Sequence, residues 1–354
     1  MKRKYGEVDD ETFRSRVSTV NIDGKRNWVH ATQPSGKLYT IRKNLSYLYF
    51  AVFLIMPFIH IRGVQFLQFN VIQGRFSIFG KVFWPNDFFI FAVIFIIGVL
   101  LVTLFTVIYG RIFCGWVCPQ TIFMEFLFRR IEWLIEGTPA QQRRLAKAPW
   151  NKEKILKKGF KHFVFFAVSF LIANVFLAYI IGSKELITKI SQPISQNWGV
   201  LSGLLVFTFV FYFVFAYVRD IVCTTICPYG RLQGVMYDKE TVQISYDYKR
   251  GEPRGKLKDK EKLGLGDCID CFQCVTVCPT GIDIRNGVQM ECVGCTACID
   301  ACDNIMEKIN LPKGLIRYAS ENEIQSGVKA PFTTRAKAYT AVLVVLFVFL
   351  IGLI

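Results

Sequence analysis

The chain has 354 residues, of which 52% are hydrophobic and 20% charged, with 33 Phe and a mean hydropathy of +0.34. That balance excludes a disordered chain and fits poorly with a purely soluble one. The formal net charge is +16, and twelve Cys stand against three His. A basic balance fits nucleic acid, anionic lipid or membrane-loop topology, so its distribution has to decide. So many cysteines point to a disulfide scaffold or to metal ligation.

Residues 1–44 are polar, and no cleaved signal peptide is evident ahead of the first apolar run. Five stretches are long and apolar enough for a bilayer-crossing helix, which needs about 17–25 residues. They are 45–61, 88–109, 162–182, 198–218 and 336–354, the first acting as a signal-anchor. The expected organisation is an N-terminal segment (1–44), a first helix pair (45–109) and a loop (110–161). A second helix pair (162–218), a linker segment (219–263), a cysteine-rich domain (264–312), a connector (313–335) and a last span (336–354) follow.

Lys and Arg number 10 in 1–44, 10 in 110–159 and 16 in 219–335, against 3 in 62–87 and 2 in 183–197. By the positive-inside rule the N terminus and both long loops lie in the cytoplasm. Trp84 and Trp198 fall at the expected outer boundaries, as interface anchors should. Topology thus accounts for the charge: membrane lipid is the expected partner and nucleic acid is not.

The spans form a repeat. GRIFCGWVCPQTIFMEF (110–126) follows the second span and RDIVCTTICPYGRLQG (219–234) the fourth, each carrying C-x3-C-P after an outside-to-inside helix. Two units of one orientation imply a pseudo-twofold axis along the membrane normal, which brings Cys114, Cys118, Cys223 and Cys227 to similar depth. The following prolines disfavour helix at the preceding residue, so Pro119 and Pro228 are read as first residues of new helices. That places Cys118 and Cys227 at positive helix ends, where a thiolate is stabilised. Paired soft thiolates suit a cuprous ion; four converging ones suit another iron–sulfur cluster; a reversible dithiol relay is a third use. Small buried residues at a helix join are the plain alternative.

The strongest chemical pattern comes later. CIDCFQCVTVCPTGI (268–282) reads C-x2-C-x2-C-x3-C-P, and CVGCTACIDACDNIM (292–306) repeats the cysteine spacing. This is the ligand pattern of a bacterial two-cluster ferredoxin, in which the fourth Cys of each run serves the other cluster. One [4Fe-4S] cluster is assigned to Cys268, Cys271, Cys274 and Cys302, the other to Cys292, Cys295, Cys298 and Cys278. Disulfides are disfavoured on a reducing side, and zinc does not ask for this doubled triplet. Asp303 follows Cys302 where Pro279 follows Cys278, and a carboxylate there disfavours the reduced state. The expected fold is an α-helical polytopic membrane protein with an inserted cytoplasmic α+β two-cluster ferredoxin domain.

The remaining segments carry less. His60 and His162 fall near opposite ends of their spans and His30 lies outside, so no bis-histidine haem site is expected. Residues 119–136 read as a helix with apolar Ile122, Phe123, Phe126 and Leu127 beside Glu125, Arg129 and Arg130, lying along the inner membrane surface or packed conventionally. Segment 249–263 reads as a solvated linker. No dinucleotide fingerprint or P-loop is present, so electrons arrive from another protein or from quinol.

The chain closely resembles the cytochrome c oxidase accessory protein family, called CcoG, FixG or RdxA, over about residues 28–340. The resemblance rests on FCGWVCPQTIFMEFLFRR (113–130), VCTTICPYGRLQG (222–234), the ferredoxin block and CDNIMEKINLPKGLIRYASENEI (302–324). It implies a bacterial inner-membrane protein that reduces cupric to cuprous ion for copper delivery and assembly of a cbb-type oxidase. It also implies cluster ligation by the eight ferredoxin cysteines, copper handling at Cys114, Cys118, Cys223 and Cys227, and copper-delivery and oxidase assembly factors as partners. The alternatives are a quinol-linked carrier to a periplasmic reductase and a non-enzymatic copper chaperone or redox sensor. Members of that family usually continue into an outer β-sandwich, and this sequence stops within the fifth span, as a truncated or shortened member would.

Overall fold

A computed structural model describes residues 26–70, 74–78, 80–83, 88–193, 197–328 and 334–353. The first helix, α1, spans Lys37–Ile55. It starts earlier than the apolar run because a distant carboxylate caps it: Asp300 accepts from the backbone amides of Leu38 at 3.2 Å and Tyr39 at 2.7 Å. It stops ahead of Pro57, and its first turns carry Lys37, Arg42 and Lys43.

The next loop holds structure that the apolar pattern did not reveal. β1 (His60–Ile61) pairs with β2 (Val64–Gln65), and β3 (Leu67–Asn70), β4 (Arg75–Ile78) and β5 (Lys81–Phe83) form an antiparallel sheet. Trp84 lies outside the described residues. α2 (Phe88–Tyr109) has the expected bounds, ending where Gly110 turns the chain at φ +53°.

After α2 come α3 (Ile112–Trp116) and a continuous helical stretch from Pro119 to Glu136, made of α4 (Pro119–Phe123), a π-helical turn (Met124–Phe128) and α5 (Arg129–Glu136). Of the two placements considered for 119–136, the packed one holds. Phe128 is fully buried, stacked on Phe215 at 4.5 Å and edge-on to Phe165 at 5.0 Å. Such pairs add to plain apolar burial. Glu125 and Arg129, expected on a charged face, are buried too.

α6 (Pro139–Lys147), α7 (Lys152–Ile180) and α8 (Ser183–Ser191) lead to α9 (Trp198–Phe213), which continues as a π-helical turn to Val218. Trp198 opens α9 and is exposed. α10 (Pro228–Met236) follows the second C-x3-C-P. α7 packs along α9, and α2 packs along the last helix.

Among the described residues three helical stretches are long and apolar enough to cross a membrane: Ala92–Tyr109, Lys152–Ile180 and Trp198–Val218. Of the other two expected spans, 45–61 is α-helical only as far as Ile55, where Pro57 leads into a short 3-10 turn (Met56–Phe58) and then β1, and the last is helical over Thr334–Leu353 with a shorter apolar part, Ala336–Phe349.

The cysteine-rich domain recruits strands from outside 264–312. β6 (Gln243–Tyr246) pairs antiparallel with β7 (Ile316–Ala319), in register Gln243↔Ala319 to Tyr246↔Ile316. Between them lies α11 (Ala297–Lys308); α12 (Glu321–Ser326) and α13 (Thr334–Leu353) complete the chain. Segment 249–263 is partly ordered into short helical turns, with its acidic neighbour Asp267 bridging Lys260 and Arg250, each at 2.7 Å.

Candidate metal centre

The doubled cysteine run folds into two loops backed by β6, β7 and α11. Cys268, Cys271, Cys274 and Cys302 line one small cavity. Cys278, Cys292, Cys295 and Cys298 line another, and Cys274 also reaches its wall. The shared wall sets the cavities side by side. Cys302 thus lines the cavity of the first run's triplet and Cys278 that of the second run's.

The donor set fits an iron–sulfur cluster. All eight donors are thiols, the ligands such clusters take. Among the described residues no three His, Cys, Asp or Glu side chains are gathered tightly enough for a single metal ion; a cube presents a separate iron to each thiolate and holds them further apart. Burial pushes Cys274 up to about 12 and Cys292 up to about 11, and also raises Cys268, Cys295, Cys298 and Cys302. As free thiols these groups are protonated at neutral pH, so ligation displaces protons.

Several residues around these cavities were not legible in the sequence. Arg285 is buried beside the first, lies 4.0 Å from the Phe272 ring centroid, and is paired with Asp283 at 2.6 Å and with Asp270. Asp303, the expected carboxylate beside the first set, accepts from the Gly314 amide at 2.8 Å. Cys271 is the one cysteine of the twelve that is exposed.

The two C-x3-C-P motifs repeat one local geometry. Cys118 and Cys227 are the N-caps of helices that open with Pro119 and Pro228, while Cys114 and Cys223 sit on the preceding helical turns. The repeats exchange contacts across their boundary. Cys114 Sγ lies 3.6 Å from both Gln233 Oε1 and Nε2, beyond the second motif; Cys223 Sγ lies 3.9 Å from the Thr121 hydroxyl, beyond the first. Burial pushes Cys114 up to about 11 and Cys223 up to about 12. Cys118 and Cys227 are close enough to Cys114, and Cys118 and Cys114 to Cys223, to add to those shifts. The four thiols therefore share one neighbourhood.

That neighbourhood abuts the second cavity. Cys223 packs against Val277, Val293, Cys295 and Ala297. A Cβ at Gly115 would collide with the Gly294 carbonyl, and one at Gly294, where φ is +69°, would lie 2.7 Å from the Arg111 carbonyl oxygen. Only glycine lets the two backbones approach this closely.

The histidines have ordinary partners: His30 meets Gln142 at 3.1 Å, His60 the Phe58 carbonyl at 2.9 Å, and His162 the Tyr212 hydroxyl at 2.9 Å.

Two thiol-lined cavities, in a chain that also carries membrane-capable helices, define an iron–sulfur protein of the dicluster ferredoxin class. Residues 218–321 match the family model described as a 4Fe-4S dicluster domain, and 91–136 match one described as a 4Fe-4S binding domain. The chain is 37% identical to protein RdxA of Cereibacter sphaeroides, over 83% of this chain and 62% of that protein. It is 31% identical to nitrogen fixation protein FixG of Rhizobium meliloti, over 90% and 62% respectively, and 35% identical to RdxB of C. sphaeroides, over 85% and 64%. The chain belongs to the FixG/RdxA family and spans about three fifths of the length of these curated relatives. No solved structure matches it.

Proposed function

We propose that this chain is a bacterial inner-membrane electron carrier with its ferredoxin domain in the cytoplasm. It delivers electrons to cupric ion at the membrane edge, so that cuprous ion becomes available for assembly of a cbb-type oxidase. Cys268, Cys271, Cys274 and Cys302 hold one [4Fe-4S] cluster, and Cys278, Cys292, Cys295 and Cys298 the other. Bound there, the clusters supply one-electron chemistry. The exposed Cys271 edge gives a cytoplasmic donor its docking side, and the buried cavity walls keep water from the inner ligands. Copper is the substrate in this reading: each cupric ion takes one electron and leaves as cuprous ion, which soft thiolates favour.

The observation that carries the proposal is the direct packing of Cys223 and Gly115 against the Cys292–Cys295 loop. It makes the four membrane-edge thiols the continuation of the ferredoxin pair. The test is cupric reduction by the full chain under continuous electron supply, read with a cuprous chelator. Cys114→Ser with Cys118→Ser should abolish turnover while the ferredoxin cysteines keep their iron; undiminished turnover would defeat the assignment.

A further inference from the structure

A cavity of a different kind lies well away from the cysteines. It measures about 610 Å³, within the roughly 300–1,000 Å³ of sites that hold small molecules. It sits between α7 and α9 under α8, at the ends of those helices opposite the second C-x3-C-P. Its walls are apolar: Phe170, Leu171, Leu186, Ile190, Leu201 and Leu204. Phe170, Leu171 and Ile190 are exposed, so the slot opens sideways. Both α7 and α9 belong to membrane-capable stretches, and an opening between such helices faces hydrocarbon rather than water.

The polar groups of the cavity are few and placed toward one end. Asn197 donates to Gln192 Oε1 at 2.8 Å and to the Lys189 carbonyl at 3.3 Å, so those two amides occupy each other. Asn174, within α7, donates to the Phe170 carbonyl at 2.8 Å. Its second N–H and its carbonyl oxygen make no hydrogen bond among the described residues. A polar group inside a bilayer-crossing helix is costly unless it meets a partner. Lys189 also lines the cavity and pairs with Glu185 at 2.8 Å on α8, both ends partly exposed. An exposed pair of this kind is weak, so each charge stays available to a ligand.

We propose that this cavity binds one zwitterionic phospholipid, with an acyl chain in the slot under α8 and a phosphoethanolamine head across Lys189 and Glu185. The phosphate meets the Lys189 ammonium and the head-group ammonium meets the Glu185 carboxylate. Asn174 lies six residues before the end of α7 at Ile180, about 9 Å of helix. Its free N–H therefore sits below the charged pair, at the level of the glycerol esters, where an ester carbonyl accepts it. An isoprenoid quinone fits less well, since its ring carries no charge for the Lys189–Glu185 pair. It would also be remote from the thiols, because Leu204 and Val218 are separated by about 20 Å of helix. The inference goes beyond the electron-carrier reading and needs neither copper nor clusters to be true.

The test is native mass spectrometry of the full chain in mild detergent, with phosphatidylethanolamine, phosphatidylglycerol and ubiquinone added separately. The unaltered chain should retain one phosphatidylethanolamine through detergent exchange, in preference to the other two. Leu201→Trp, which fills the slot, should abolish retention. Lys189→Met should weaken it about tenfold, the loss of one charge-assisted contact. No retained lipid, or retention that Leu201→Trp leaves unchanged, would mean annular lipid only and overturn the site. Equal retention of phosphatidylglycerol would overturn the head-group assignment, and preferred retention of ubiquinone would overturn the phospholipid. The preference of the unaltered chain decides even where a variant fails to fold. Cupric turnover does not enter any of these readings, so failure here leaves the electron-carrier reading standing, and the converse holds.

Discussion

Arg42 donates a 2.6 Å hydrogen bond to the carbonyl of Cys295, 253 residues away. Its Nε and second terminal nitrogen donate to the Gly115 carbonyl at 3.0 and 2.8 Å, and a bidentate pair with Glu125 holds the guanidinium in place. One side chain on α1 thus ties the second ferredoxin loop to the first C-x3-C-P. Arg42→Ala should destabilise the protein by roughly 3–5 kcal/mol, because it leaves Glu125 as an uncompensated buried charge. Arg42→Met combined with Glu125→Met should recover much of that loss. Thermal unfolding of the single and double variants in detergent measures both; a single variant as stable as the parent would contradict the assignment.

A second buried network sits where α5 meets α7 and the second repeat. Glu132 accepts from Arg219 at 2.6 Å and from Lys161 at 3.2 Å, and Lys161 also pairs with Glu136 at 2.8 Å. Burial alone would raise the Glu132 carboxyl, but Arg219 and Lys161 outweigh it and hold it down at about 2. An acid with a depressed pKa lends stability that is fully present above its unfolded value of about 4.5 and lost as pH falls toward about 2. Acid unfolding followed by tryptophan fluorescence should therefore steepen in that window. Glu132→Gln should flatten the dependence there while lowering stability at neutral pH.

The crossed assignment of Cys278 and Cys302 makes a selective prediction. Cys302→Ser should perturb the cluster of Cys268, Cys271 and Cys274, and Cys278→Ser that of Cys292, Cys295 and Cys298. EPR of the reduced variants should show one ferredoxin signal altered and the other kept, with up to about four irons lost in each case. Loss of the neighbouring triplet's signal instead would reverse the ligand sets.

The parts legible in the sequence are those that repeat or run continuously. α2 kept its expected bounds because an unbroken apolar run ends at Gly110, whose positive φ turns the chain. Pro119 and Pro228 mark their helix starts because proline suits that position and disfavours helix at the residue before it. The two cysteine runs stand out in the sequence because their spacing is local. What was not readable depends on partners far apart in the chain: α1 begins at Lys37 because Asp300 caps it, and Glu125 is buried because Arg42 reaches it across 83 residues. Charges at 125, 129 and 132 look like a solvated face until their partners are placed.

Gly294 offers the sharpest test of the contact between ferredoxin loop and membrane edge. Its φ of +69° is costly for any residue with a Cβ, and that Cβ would press on the Arg111 carbonyl. The left-handed backbone alone costs roughly 1–2 kcal/mol, and overpacking adds roughly 1–3 kcal/mol. Gly294→Ala should therefore lower stability and push the 292–295 loop away from residues 111–115, with electron delivery to cupric ion at the membrane edge slowed more than reduction of the first cluster. Gly264→Ala is the control: that glycine has φ +56° but open space around it, so only the backbone cost applies. Rapid-mixing absorbance on both variants separates the effects. Equal slowing of both steps, or none in Gly294→Ala, would show that the close approach of these two backbones does not govern electron delivery.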